Sequence, residues 1–161
     1  MSQTLKAEPL AAVARSVLAD AAFLFCDDVP DDLGPSEGQL AEATITFDAP
    51  TPGRITLRLP WHVALEAAAN LLGSDQDDPE VEESALAAVG ELLNMISGSA
   101  LKAWFGAETV WSLGMPVTSA RAGRLPSAEP RGEVVGFVVD DARIELEAIE
   151  TGAGHDQGPR R

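Results

Sequence analysis

The chain has 161 residues, enough for one domain with a full hydrophobic core. Its 26 acidic residues outnumber its 11 Lys and Arg for a formal net charge of −15, which argues against binding to nucleic-acid phosphates. A lone cysteine, Cys26, leaves no intrachain disulfide framework and indicates a reduced compartment. With no secretion-type N-terminus and no stretch approaching the roughly 18 apolar residues of a membrane span, we expect a cytoplasmic protein without a membrane segment.

The first sixty residues predict one helix followed by a hairpin. Apolar residues recur at steps of three and four from about Pro9 to Cys26, which is the spacing of an amphipathic helix. The acids, prolines and glycines of residues 27–38 predict a surface loop. Residues 40–48 and 53–60 alternate apolar with polar side chains, which predicts two half-buried strands. The short linker APTP between them predicts an antiparallel hairpin.

The middle of the chain predicts two more helices. Residues 61–73, WHVALEAAANLLG, have helical periodicity and end on a glycine that serves as a stop. Asp78 followed by Pro79 predicts the cap and first turn of a longer helix, which runs to about Phe105 and is closed by Gly106.

The last third predicts strands at ETVWSLG, MPVTSAR, GEVVGFVVD and ARIELEAI, with Asp140-Asp141 as the turn between the last two. Residues 121–132 predict a mobile connection, and residues 151–161 predict a disordered tail. Strands grouped apart from helices favour an α+β fold. We therefore expect a single domain, residues 1–150, with an antiparallel sheet and helices packed on one of its faces.

The third helix contains GELLNMISGSA, in which Glu91 and Asn94 stand three apart and so share one side of the helix. At about 100° per residue, the apolar arc that faces the sheet lies opposite and contains Leu86, Val89, Leu93, Ile96, Ala100 and Trp104. Ala87, Gly98 and Lys102 lie along the same strip as the pair, where small residues let another molecule's backbone approach. By spacing alone, such a pair is more often a solvated face than a site.

The stretch ESALAAVGELLNMISGSALKAWFG, followed by MPVTS, resembles the chemotaxis phosphatase family of CheC, CheX and FliY, and most closely CheX. Glu91 and Asn94 match the family's Glu-x-x-Asn pair, and Met95-Ile96-x-Gly98 resembles its CheX continuation. Two positions depart from the pattern, because Ala87 stands where the family has Asp or Ser and Pro116 comes one residue early. The upstream segment PGRITLRLPWHVALEAAANLLG is also similar to the family, so the resemblance covers roughly residues 5–150.

The resemblance implies a phosphatase that removes the phosphoryl group from an aspartate of a CheY-like response regulator. In that role Asn94 orients the attacking water and Glu91 pairs with the regulator's lysine, and both enter its phosphorylation pocket. The residues expected to contact the partner are Ala87, Met95, Gly98 and Lys102. No cofactor or metal of the chain's own is expected, whereas Mg²⁺ is expected in the phosphorylated receiver domain. The resemblance also allows a homodimer paired through GEVVGFVVD.

Two other interpretations stay open. One is a non-catalytic CheX-like adaptor or scaffold that binds a receiver domain or another signalling partner, favoured by Ala87 and the early Pro116; the other is a structural, dimerising domain. A few further residues invite a functional interpretation, but the sequence favours surface positions or, for the cysteine, a buried structural thiol: Glu66, Asn70, His62 and Cys26.

Overall fold

The computed structural model describes residues 5–151, and of the predicted tail only Thr151 falls within that range. The helices are α1 (Ala7–Ala22), α2 (Trp61–Leu72) and α3 (Pro79–Phe105). The strands are β1 (Ser36–Asp48), β2 (Gly53–Pro60), β3 (Ser112–Leu113), β4 (Val117–Leu125), β5 (Glu133–Val139) and β6 (Ala142–Glu150).

The six strands form one antiparallel sheet. β1 pairs with β2 along one edge, and β3 and β4 share its other edge. Beyond β2 come β6 and then β5. The predicted hairpin is confirmed, with Ile45 opposite Ile55. So is the turn at Asp140 and Asp141, whose φ angles of 51° and 68° are both left-handed, as a two-residue hairpin turn requires.

The core lies between one face of this sheet and the three helices. Alternate residues of the central strands point into it, as the sequence pattern predicts, and they are Ala41, Ala43, Ile45, Phe47, Ile55, Leu57, Leu59, Ile144, Leu146 and Ala148. The apolar stripes of the helices cover them. This arrangement confirms the predicted α+β fold with helices on one face.

The opposite face of the sheet carries a polar network centred on Arg58. Its guanidinium lies 2.7 Å from a carboxylate oxygen of Glu42, 2.7 Å from one of Glu145 and 3.1 Å from one of Glu147. The connection 126–132 passes over this face, so that Glu145 and Glu147 are buried although they point away from the helices.

The connection is held to the sheet by these two glutamates. The backbone amide and hydroxyl of Ser127 donate to Glu145, and the backbone amides of Arg131 and Gly132 donate to Glu147. Burial alone would raise the pKa of Glu147, but these two amides and the Arg58 guanidinium outweigh it and lower the pKa below its usual value. The ionised form of Glu147 therefore stabilises the fold.

Four boundaries differ from the sequence-based predictions. β1 begins at Ser36, so residues 36–38 of the predicted loop are strand. β4 continues to Leu125, so residues 121–125 of the predicted connection are strand, paired with β1 from Ser36 to Leu40. The strand predicted at ETVWSLG is reduced to Ser112–Leu113. α1 ends at Ala22 rather than Cys26, because Phe23 adopts a left-handed φ of 55° and the amides of Phe23 and Leu24 bond back to carbonyls of the last turn.

α3 bears on the expectation that the chain has no membrane segment. Within residues 5–151 it is the one helix that by length and composition could cross a membrane, with a mean hydropathy of 1.3 over its most apolar window. Of that window, 56% is buried inside the fold. Its apolar character is therefore that of a core helix.

We predict that Glu147→Gln destabilises the fold near neutral pH by about 1–3 kcal/mol, because the neutral amide weakens the charge-assisted bonds to Arg58 and to the connection. Since folding lowers the pKa of Glu147, its stabilising contribution is present above the ordinary glutamate pKa of 4.5 and is lost as the pH falls through the folded-state value. Denaturant unfolding at a series of pH values measures the free energy of unfolding of both proteins. The difference between Glu147→Gln and wild type should become smaller as the pH falls.

Glu37→Gln is the control, because the Glu37 carboxylate pairs with Arg124 on the exposed surface. It should change the free energy of unfolding by a few tenths of a kcal/mol. An equal effect of the two substitutions would contradict a stabilising role for the buried network.

Candidate functional site

The orientation of α3 determines which of its side chains reach solvent. The helix begins at Pro79, and the carboxylate of Asp78 accepts a hydrogen bond of 2.9 Å from the amide of Glu80, as the sequence predicts. The helix packs against α1, α2 and β1 through a continuous apolar stripe, whose middle residues are Val89, Leu92, Leu93, Ile96 and Ala100. This stripe turns the opposite side of the helix toward solvent.

Glu91 and Asn94 lie on that solvent-facing side. Glu91 is exposed and Asn94 is half-buried. Within residues 5–151 neither side chain makes a hydrogen bond or ion pair that would hold it to the protein itself. Both are therefore available to an external partner.

The start of β4 packs against α3 beside this pair. A Cβ added to Gly90 would lie 3.3 Å from Cγ2 of Thr118 and 3.4 Å from Cβ of Pro116, so a larger residue would require these neighbours to move by a few tenths of an ångström. Between the two elements is an open hollow of about 320 Å³, lined by Ala87, Gly90, Glu91, Asn94, Met115, Pro116 and Thr118. Pro116 thus lies beside Glu91 and Asn94, although it comes one residue early relative to the family pattern.

The four predicted partner contacts occupy different surroundings. Ala87 is exposed and lines the hollow, and Lys102 is exposed in the last turn of α3. A Cβ added to Gly98 would meet nothing within 4 Å, so the helix surface there is open. Met95 is half-buried and packs against the hydrophobic core. Sequence reasoning missed Gly90, Met115 and Thr118, although the proline of the motif points to the segment that contributes two of them.

Glu66 and Asn70, interpreted from the sequence as surface residues, are half-buried. The Asn70 amide donates to the carbonyl of Ala22 at 2.6 Å, where it satisfies the end of α1. Burial and the neighbouring carboxylate of Asp140 raise the pKa of Glu66, with His62 opposing them. Helical periodicity does not predict the contact of Asn70 with Ala22 or of Glu66 with Asp140, because each partner is distant in sequence.

The remaining candidates are structural or surface residues. His62 is exposed in the first turn of α2, as predicted. The Cys26 thiol is half-buried, and burial raises its pKa to about 11, so it is a poor nucleophile at neutral pH. Within residues 5–151 no group of three or more His, Cys, Asp or Glu is arranged to hold a metal ion.

Residues 42–134, more than half of the chain, match the family model described as chemotaxis phosphatase CheX. The chain belongs to the CheX family. The matched segment runs from β1 into β5, and it includes all of α3 and the segment that carries Pro116. The family description assigns phosphatase activity in chemotaxis signalling, and no curated protein matches the chain.

Solved structures show the same fold. A CheX chemotaxis protein from Desulfovibrio desulfuricans has a TM-score of 0.69 at 19% identity, with 89% of this chain and 97% of that one covered. CheX from Vibrio vulnificus has a TM-score of 0.64 at 22% identity, covering 88% and 95%. CheX in a CheX–CheY–BeF₃–Mg²⁺ complex from Borrelia burgdorferi has the same TM-score and identity, covering 88% and 94%.

The two glycines of α3 make a matched test of the packing at the pair. Gly98→Ala should stabilise the protein by about 1 kcal/mol, because alanine favours the helix and the added methyl group enters open space. Gly90→Ala should stabilise the protein less than Gly98→Ala does, or destabilise it, because the added methyl group presses on Pro116 and Thr118. Denaturant unfolding of both variants measures the difference.

Equal stabilisation by the two alanines would mean that β4 does not pack closely on α3 at Gly90. Asn94 and Glu91 are unchanged in both variants, so any altered activity would report on the shape of the strip.

Proposed function

We propose that the protein removes the phosphoryl group from the aspartate of a CheY-like receiver domain in the cytoplasm by inserting Glu91 and Asn94 into the phosphorylation pocket. The observation that carries this proposal is the presence of both side chains, without internal partners among residues 5–151, on one solvent-facing strip of α3 beside Pro116. The CheX family membership supports the reaction class.

Asn94 is the residue that orients the attacking water. An acyl phosphate is already reactive, so catalysis mainly requires a water held in line with the phosphorus atom. The carboxamide oxygen accepts a hydrogen bond from the water, and the amide nitrogen donates to a phosphoryl oxygen. A carboxylate at this position would repel the negatively charged phosphoryl group. The amide is neutral, so it approaches the phosphoryl group without that repulsion.

Glu91 pairs with the lysine of the receiver's pocket. The carboxylate is exposed and has no cation of its own within residues 5–151, so an ammonium group from the partner meets a free acceptor. A charge-assisted hydrogen bond fixes the orientation of the two proteins as well as adding affinity.

The Borrelia burgdorferi complex supports the choice of partner, because it contains CheX with CheY, BeF₃ and Mg²⁺. Beryllium trifluoride stands in for the phosphoryl group, and we assign the Mg²⁺ to the receiver. In our proposal the receiver supplies the metal, and this chain supplies the water-orienting amide and the carboxylate.

Asn94→Ala should reduce the acceleration of receiver dephosphorylation by roughly 10²-fold, the cost typical of losing one positioned hydrogen-bonding group at an active site. Candidate receivers phosphorylated with a small acyl phosphate in Mg²⁺ give the rate of phosphoryl loss with and without the protein. Ser99→Ala, on an exposed position of the same helix, is the control and should retain the wild-type rate.

Wild-type rates for Asn94→Ala on every receiver that the protein dephosphorylates would refute the catalytic role. A wild-type protein that binds a phosphorylated receiver but leaves its decay unchanged would support the adaptor instead, which Ala87 favours because it lacks the family's polar group.

Glu91→Gln preserves shape and removes the charge, so it separates docking from hydrolysis. We expect the KM for the phosphorylated receiver to rise about tenfold or more, because the receiver's lysine loses its ionic partner. Glu83→Gln removes a charge from an exposed position of the same helix outside the hollow and should leave KM unchanged. Equal KM values for Glu91→Gln and wild type would contradict the assigned contact.

A further inference from the structure

A second hollow adjoins the one beside Pro116 and extends the surface around Glu91. It has a volume of about 310 Å³ and lies between α2 and α3, lined by Ala68, Leu71, Leu72, Ser84, Ala87, Ala88 and Glu91. The two hollows share Ala87 and Glu91, so they form one continuous surface. We call this surface the α2–α3–β4 face.

Large apolar side chains stand on both sides of this face. Leu71 and Leu72, in the last turn of α2, are 37% and 42% exposed, and Met115, just before β4, is 82% exposed. The alanines at positions 68, 87 and 88 form a low floor between α2 and α3. A contiguous apolar surface that surrounds polar groups is typical of a protein interaction site.

The charge of the α2–α3–β4 face differs from that of the chain. The chain carries a formal charge of −15, yet Glu91 is the one charged residue among those that line the two hollows. The other acids of α3, Glu80, Glu82 and Glu83, lie near its N-terminus and outside both linings. An acidic protein thus presents an almost uncharged surface around the carboxylate of Glu91.

We propose that the α2–α3–β4 face is the receiver-docking surface, with Leu71 and Leu72 on one side and Met115 on the other gripping apolar residues around the phosphorylation pocket. This assignment rests on the proposed function. A phosphoaspartate pocket is itself acidic, so two acidic proteins gain little from long-range attraction, and apolar contact supplies affinity in addition to the short-range bond of Glu91. The face is continuous with Glu91 and Asn94, which places that contact beside the reacting group.

The test measures binding rather than hydrolysis. A receiver loaded with beryllium trifluoride and Mg²⁺ is titrated with wild type, Leu72→Glu, Leu72→Lys and Met115→Glu, at low and at high salt. Each substitution should weaken binding about tenfold or more, because all three place a charge in the apolar contact. Val110→Glu is the matched control, since Val110 is 90% exposed and lines a different hollow, and it should bind as wild type does.

The two substitutions at Leu72 distinguish apolar contact from simple repulsion. If only charge mattered, Leu72→Lys would bind the acidic receiver more tightly than wild type, and that result would overturn the proposal. Wild-type affinity for Leu72→Glu and Met115→Glu would also overturn it. So would a change of oligomeric state in these variants without an effect on the receiver, because a second copy of the chain would then be the occupant of the face.

The experiments can refute the proposed docking surface without refuting the proposed function. A wild-type protein that dephosphorylates a receiver, with Leu72→Glu equally active and equally tight, refutes the docking surface alone. A wild-type protein with neither binding nor activity toward any receiver refutes the proposed function, and the docking surface with it. Circular dichroism and thermal unfolding of every variant confirm that the fold is retained.

Discussion

The rotation of α3 against the sheet is the constraint on which the candidate site depends. Each residue advances the helix by about 100°, so a register shift of one position would carry Glu91 toward the core. The buried stripe from Val89 to Ala100 prevents such a shift, because every turn of the helix would lose apolar contact at once. The site therefore needs no hydrogen bond of its own to keep it oriented, and its polar atoms remain free for a partner.

A second constraint comes from the close contact of β4 with α3. Gly90 costs the helix about 1 kcal/mol relative to alanine, and in return Pro116 and Thr118 lie against the helix backbone. That contact places Met115 next to the solvent-facing strip, although twenty residues separate it from Asn94 (residues 95–114). The sheet anchors the same segment on its far side, where Val117 and Thr118 pair with Thr44 and Ala43 of β1. The start of β4 is thus held against the strip by contacts with both α3 and β1.

Local patterns in the sequence predict the parts of the fold that depend on periodicity. The hairpin of β1 and β2, the limits of α3 and the side of α3 that bears Glu91 follow from alternation, capping and helical spacing. The polar network is different, because Glu145 and Glu147 occupy alternating positions that predict solvent exposure, and only the connection 126–132 buries them. β4 is missed beyond Arg121 because most of its residues are exposed and lack apolar alternation. The exposure of Leu71 and Leu72 beside α3 is not predicted either, because no local pattern shows where the end of α2 lies relative to α3.

The resulting surface separates three physical tasks that a small phosphatase must combine. In the proposed complex, apolar contact supplies affinity without long-range attraction, which suits the binding of an acidic pocket by a chain of charge −15. In the same proposal the carboxylate of Glu91 supplies orientation, because its bond to the receiver's lysine favours docked geometries that bring the two groups together. The proposed role of Asn94 suits a neutral amide, which orients water without adding charge beside the phosphoryl group. Ala87 lines both hollows without adding a polar group, so the polar chemistry of the strip falls to Glu91 and Asn94 and its apolar contact to the flanking residues.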